Sequence, residues 1–214
     1  MHADGYQGNH KLSPDITIVG CWAHMRRKWV DAQTVSGGDE RQSAVVEEAL
    51  KRIGYLFQLE KEWEKLTADE RHNMRQEKGK SLADSYFEWC ARLNFLPKSA
   101  VGKAIHYAYS QRQYLMNVYM DGRAEFSNNR AENSIRPFAI GRKNWLFCAS
   151  IRGAEASSII YSIIETAKAN GLKAFEYIEW LLETLPNSTT SAIDSMLPWS
   201  SAVPARCRMS VLEI

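Results

Sequence analysis

The chain has no cysteine pair at CxxC spacing, since Cys21, Cys90, Cys148 and Cys207 are scattered through its 214 residues. Its N-terminus carries no apolar secretory run either, so reduced thiols in a cytosolic protein are expected and no disulfide framework is implied. Long hydrophobic runs are missing too. The most apolar stretch, around Ile159 to Ile164, falls far short of the roughly 20 residues that span a bilayer, which argues against a membrane role. An excess of one charge is the third absence. With 27 Lys and Arg against 25 Asp and Glu, the net charge is only +2, so affinity for nucleic acid has to come from local clusters.

What the chain does have is 45% hydrophobic residues, enough to bury a core in one large domain or two small ones. Strand signals are confined to Ile16 to Trp22 (ITIVGCW), a β-branched run that leads into His24-Met25-Arg26-Arg27-Lys28. Helical spacing dominates afterwards. Val46, Leu50, Ile53, Phe57, Trp63 and Leu66 predict an amphipathic helix over 39–66. Thr67 with Glu70 forms a capping-box pattern, and Leu82, Tyr86, Trp89 and Leu93 make a stripe farther on, with Gly79 as an interruption. Ser99 caps a third helix that runs to about Tyr119 and stops at Asp121-Gly122, so residues 39–120 read as an all-helical block. Helices over 153–170 and 173–184 follow, with Gly171 as the left-handed residue between them. Past Pro186 the Ser/Thr-rich stretch reads as linker, and the tail has no clear period and is expected to be poorly ordered at its end.

The chemistry gathers around Glu132, which follows Asn128 and Asn129 and lies between Arg130 and Arg136. A carboxylate among guanidinium groups stays ionised near neutral pH, which suits it to hold a hard cation beside a phosphate. The plainer alternative is a surface acid paired with Arg136 one helical turn away. Asp4, in Asp4-Gly5, is by itself an ordinary turn residue. Cys21 and His24 would make half a zinc site, yet no second pair has suitable spacing, and a small core cysteine is the simpler reading. Arg26, Arg27, Lys28, Arg130, Arg136, Arg142, Lys143 and Arg152 cluster beside the two acids, as phosphate neutralisation requires, or else form a solvated basic face. Trp145 is either a base-stacking platform or a core residue.

Several motifs together resemble transposases of the insertion sequence 66 family, DDE-type enzymes with an RNase H-like catalytic domain. They are Asp4-Gly5-Tyr6, Gly20-Cys21-Trp22-Ala23-His24 with Arg26-Arg27-Lys28, Asn128-Asn129-Arg130-Ala131-Glu132 with Arg136-Pro137, and Gly141-Arg142-Lys143-Asn144-Trp145-Leu146-Phe147. Arg152-Gly153-Ala154-Glu155-Ala156, Tyr161-Ser162, Glu165-Thr166-Ala167 and Leu197-Pro198-Trp199 extend the likeness over nearly the whole chain. The resemblance implies an α/β RNase H-like core, truncated at its N-terminus, with a large all-helical insertion, predominantly α in this chain. Residues 1–30 would be the sheet remnant, 31–122 the insertion, 123–186 the helical end of the core and 187–214 a tail.

By resemblance Asp4 is the second catalytic acid and Glu132 the third, both ligands of Mg²⁺ or Mn²⁺. DNA contacts fall to His24, Arg26, Arg27, Lys28, Asn128, Asn129, Arg130, Arg136, Arg142, Lys143 and Trp145. The implied partners are transposon ends, target DNA, and further copies of the chain or a full-length transposase. In the family the first acid lies upstream, whereas only Met1, His2 and Ala3 precede Asp4, so the chain resembles the C-terminal part of such an enzyme and is expected to be inactive alone. Three rivals follow. One is a non-catalytic DNA-binding or regulatory remnant that assembles with a full-length transposase, and one is a split enzyme completed by a separate polypeptide. The third is a helix-turn-helix over 161–184, whose second helix carries Glu176, Glu179 and Glu183 where phosphate would lie.

Overall fold

Trp22, Met25, Trp29 and Ala32 recur at intervals of three and four residues, and this spacing makes helix α1 (Trp22–Val35) the buried centre of the first part of the molecule. The computed structural model describes residues 1–5, 8, 13, 15–35, 39–145 and 148–210, with the side chain of Trp145 excepted. Tyr6, Pro14, Leu146, Phe147 and the last four residues, on which some sequence expectations fall, lie outside the described residues. The chain is predominantly helical and divides into two compact units, Met1–Glu132 and Asn133–Ile214.

In the first unit α1 packs against α2 (Glu40–Glu62), α4 (Lys80–Ala91) and α5 (Ala100–Met116). The three partners contribute Val46, Ala49 and Ile53, then Ala83, Tyr86 and Phe87, then Val101, Ala104 and Ala108, each set one face of its helix. Trp22 stacks on Phe126 with ring centroids 5.1 Å apart, and its indole N–H donates to the Leu115 carbonyl at 3.1 Å. The Trp29 indole donates to the Tyr86 hydroxyl at 2.8 Å, so both tryptophans of α1 have their polar edge satisfied.

The caps read from sequence are in place: Asp39 for α2, Ser99 for α5, and Thr67 with Glu70 in a full capping box for α3 (Ala68–Met74). Gly79 does not interrupt the chain. It ends a single π-helical turn, Arg75–Gly79, through which α3 runs on into α4. The buried stripe of α4 is also shifted from the expected one: Ala83, Tyr86, Phe87 and Cys90 are buried, while Leu82, Trp89 and Leu93 pack only partly at its margin.

The expected strand over 16–22 needs correction. Only Val19–Gly20 (β2) is strand, Trp22 already belongs to α1, and the partner is His2–Ala3 (β1), paired in parallel. Two ladder positions are all that can form, because α1 begins at once to bury Trp22. Gly20 is required here: a Cβ on it would stand 2.9 Å from the Leu115 backbone nitrogen, so α5 crosses β2 backbone to backbone.

The second unit contains most of α6 (Asn129–Trp145), then α7 (Ile151–Ala169) and α8 (Ala174–Thr184). Gly171 takes φ +68° between α7 and α8, as expected, and Leu172 N–H returns to the Ala167 carbonyl. The tail is more regular than its composition suggests. Short turns and α9 (Ile193–Met196) fold back so that the Tyr177 hydroxyl donates to the Met196 carbonyl at 2.6 Å, and Val203 and Cys207 close a small core with Ala167 and Leu172.

Candidate active site

Parallel pairing of β1 with β2 in the register Ala3↔Gly20 sends Asp4 and Cys21 out of the same, carboxyl-terminal edge. Asp4 is exposed, and its carbonyl accepts a hydrogen bond from the Tyr107 hydroxyl of α5 at 3.1 Å. Burial pushes the Tyr107 phenol up to about 12, with the negative character of Cys21 and Asp4 adding to the rise.

Cys21 is the dock for the next segment. Its buried sulfur accepts the Asn128 backbone N–H at 3.4 Å and lies 3.8 Å from the Ser127 hydroxyl, while Trp22 N–H donates to the Phe126 carbonyl at 3.1 Å. These bonds fix the start of α6, where Glu132 N–H returns to the Asn128 carbonyl at 3.0 Å. One turn into α1, His24 Nε2 stands 3.5 Å from Glu132 Oε1. Cys21 and His24 thus face Asn128 and Glu132, a match of i,i+3 against i,i+4 on two helix starts.

The segment that delivers α6 is held from behind by Arg75. This side chain is wholly buried and forks onto Glu60, with Nε and Nη2 at 2.8 and 2.6 Å from the two carboxylate oxygens. Its remaining donors reach the carbonyls of Val118, Asp121 and Ala124 at 3.2, 2.9 and 2.9 Å. Nothing local in the sequence marks Arg75, which sits among other charged residues. Tyr107 likewise reads as one more aromatic of an amphipathic helix.

Of the remaining expected contacts, Arg26, Arg27 and Lys28 are exposed on α1, and Asn129 and Arg130 are exposed at the start of α6, with Arg130 3.3 Å from Glu125. Asn128 is buried, and its Oδ1 has no hydrogen-bond partner among the described residues. Arg136, Arg142, Lys143 and Arg152 are exposed in the second unit. The side chain of Trp145 lies outside the described residues. Among the described residues no three His, Cys, Asp or Glu side chains converge as a ligand cluster. The donors that are present, two carboxylates and an orphaned amide oxygen, are hard oxygens of the kind Mg²⁺ and Mn²⁺ take while keeping water and phosphate in the remaining positions.

Sequence comparison decides the family. The model of the Transposase IS66 family matches residues 1–156, and that of the IS66 C-terminal element matches residues 162–199. The chain belongs to the Transposase IS66 family. Among its relatives is the uncharacterized protein y4qI of Sinorhizobium fredii, 34% identical over 94% of this chain and 38% of its own length. Uncharacterized proteins y4hP and y4jD of the same organism are 32% and 29% identical, over 86% and 94% of this chain and 35% and 40% of theirs. The IS66 chain therefore spans about two fifths of the length of the curated relatives it matches. No solved structure matches it. No helix among the described residues is long and apolar enough to cross a membrane.

Proposed function

We propose that this chain is the C-terminal part of a DNA transposase active site, with Asp4 and Glu132 as two of its three catalytic acids. The observation that carries the reading is the shared anchor at Cys21: the strand pair presents Asp4 beside it, and Asn128 is docked on it one turn before Glu132. Residues 1–30 would be the end of an RNase H-like sheet, 31–122 a helical insertion, 123–186 the helical end of the core and 187–214 a tail. The first acid would come from sequence of the kind that the longer relatives carry outside the matched region.

In this reading Asp4 and Glu132 would hold a divalent cation, Mg²⁺ or Mn²⁺, which would supply charge neutralisation at the scissile phosphate. His24 orients the Glu132 carboxylate. Arg26, Arg27, Lys28 and Arg130 would neutralise flanking phosphates, and the family resemblance assigns DNA contacts also to Asn128, Asn129, Arg136, Arg142, Lys143 and Trp145. Water cleaves the phosphodiester at the transposon end, and the freed 3′-hydroxyl then displaces a bridging oxygen of the target strand. No covalent protein intermediate is formed. Cytoplasmic assembly with further copies on the two transposon ends belongs to the same proposal.

A second reading is a DNA-binding remnant that joins a full-length transposase, which the exposed Arg26, Arg27, Lys28 and Arg130 also suit. Nicking of end DNA under Mn²⁺ separates them. The first reading expects cleavage once a polypeptide bearing the first acid is supplied, and loss of it in Asp4→Asn and Glu132→Gln. The second expects metal-independent binding and no cleavage by any assembly that depends on these two acids.

A further inference from the structure

Helices α1 and α5 run antiparallel: Trp22 bonds the Leu115 carbonyl, Lys28 lies over the Tyr107 ring at 5.4 Å, and Val35 and Ala100 line the same cavity. That cavity, of about 570 Å³, has alanines of both helices in its lining and is flanked by Lys28, Lys98 and Lys103. Asp31 is the one acid among its lining residues. The three ammonium groups are exposed, and none has an acidic partner among the described residues. Three ammonium groups against the single carboxylate of Asp31 on one concave surface leave a net positive potential that attracts an anion.

The position of this groove supplies the ligand's class. On α5, Lys103 is one turn from Tyr107, whose hydroxyl holds Asp4, and on α1, Lys28 is one turn from His24, which faces Glu132. Tyr107 stands about 10 Å along α5 from Ala100 of the groove at the helical rise. We infer that the α1–α5 groove is a phosphate-binding track, in which Lys28, Lys103 and Lys98 hold the sugar-phosphate backbone of the DNA strand that leaves the Asp4–Glu132 edge. Lysines that contact phosphates give affinity without base selection. The helical block would then be part of the DNA-binding surface as well as a scaffold. This inference rests on the proposed nuclease reading for the direction of the strand.

The test is fluorescence anisotropy of the full 214-residue chain with a labelled duplex in EDTA, titrated with salt. Lys98→Ala/Lys103→Ala should weaken binding several-fold at moderate salt and lower the slope of log affinity against log salt by about 1 to 2, whereas the Lys→Arg pair should restore it. An unchanged slope in the alanine pair overturns the track. A second arm uses inorganic phosphate alone as competitor. Displacement of DNA only at bulk-salt concentrations supports a polyanion track, and tight phosphate binding lost in the alanine pair while the DNA slope stays fixed would make the groove a free-phosphate site and overturn the claim. The acid reading is judged separately, by nicking in Asp4→Asn and Glu132→Gln, so either idea can fail without the other.

Discussion

The Arg75 guanidinium and the Glu60 carboxylate meet as a two-bond fork at 2.8 and 2.6 Å, with Arg75 wholly buried and Glu60 nearly so. Removing the cation would strand a carboxylate and three backbone carbonyls in the interior. Arg75→Met is therefore expected to cost about 3–5 kcal/mol, the usual penalty for breaking one side of a buried pair. Urea denaturation measures it. Arg75→Lys keeps the charge but not the fork and should fall between wild type and the methionine variant.

Trp22 combines a stacked ring contact with a buried N–H donor to Leu115. Trp22→Phe is expected to cost about 1–3 kcal/mol, because the Leu115 carbonyl loses its indole partner and the smaller ring leaves a void. Trp22→Ala should cost about 3–5 kcal/mol. The same denaturation series distinguishes the two.

Tyr107 gives an alkaline signature. Its phenol is pushed up to about 12 from the ordinary 10.0, so the unfolded chain ionises first and the fold disfavours the phenolate. The stabilising contribution is fully present below pH 10 and is lost as pH rises toward 12. Tyr107→Phe should flatten this part of the stability curve and remove one late-titrating phenol from an ultraviolet absorbance titration, while acid and neutral stability change only by the loss of the Asp4 contact.

Cysteine accessibility provides a check on burial. Cys148 is exposed and Cys21, Cys90 and Cys207 are buried, with burial pushing the Cys90 thiol up to about 12. A thiol reagent at neutral pH is expected to modify one cysteine quickly, Cys148, and the others only with unfolding. Rapid reaction of Cys21 would contradict its role as the dock for Asn128.

The sequence made the long helices and their caps legible because both depend on near neighbours: Asp39, Thr67 with Glu70, Ser99 and Gly171 each act within one turn. It misled at Ile16 to Trp22, where a β-branched run ends in a two-residue strand and its last residue starts α1. The partner strand, His2–Ala3, is too short to leave a pattern. At the candidate site, motif and composition single out Glu132 and the basic clusters, and the structure adds that His24 stands 3.5 Å from Glu132. The bonds from Tyr107 to Asp4, from Asn128 to Cys21 and from Arg75 to the 118–124 segment join residues 103, 107 and more than 40 positions apart, and no local spacing encodes them.

The most direct measurement is end nicking under Mn²⁺ by this chain supplied with a polypeptide that carries the first acid of the proposed site, comparing wild type with Asp4→Asn and Glu132→Gln. Cleavage by wild type, with a loss of at least a hundredfold in each acid variant while both still bind DNA, is the result expected if Asp4 and Glu132 share one catalytic site. Cleavage that survives either substitution would contradict it.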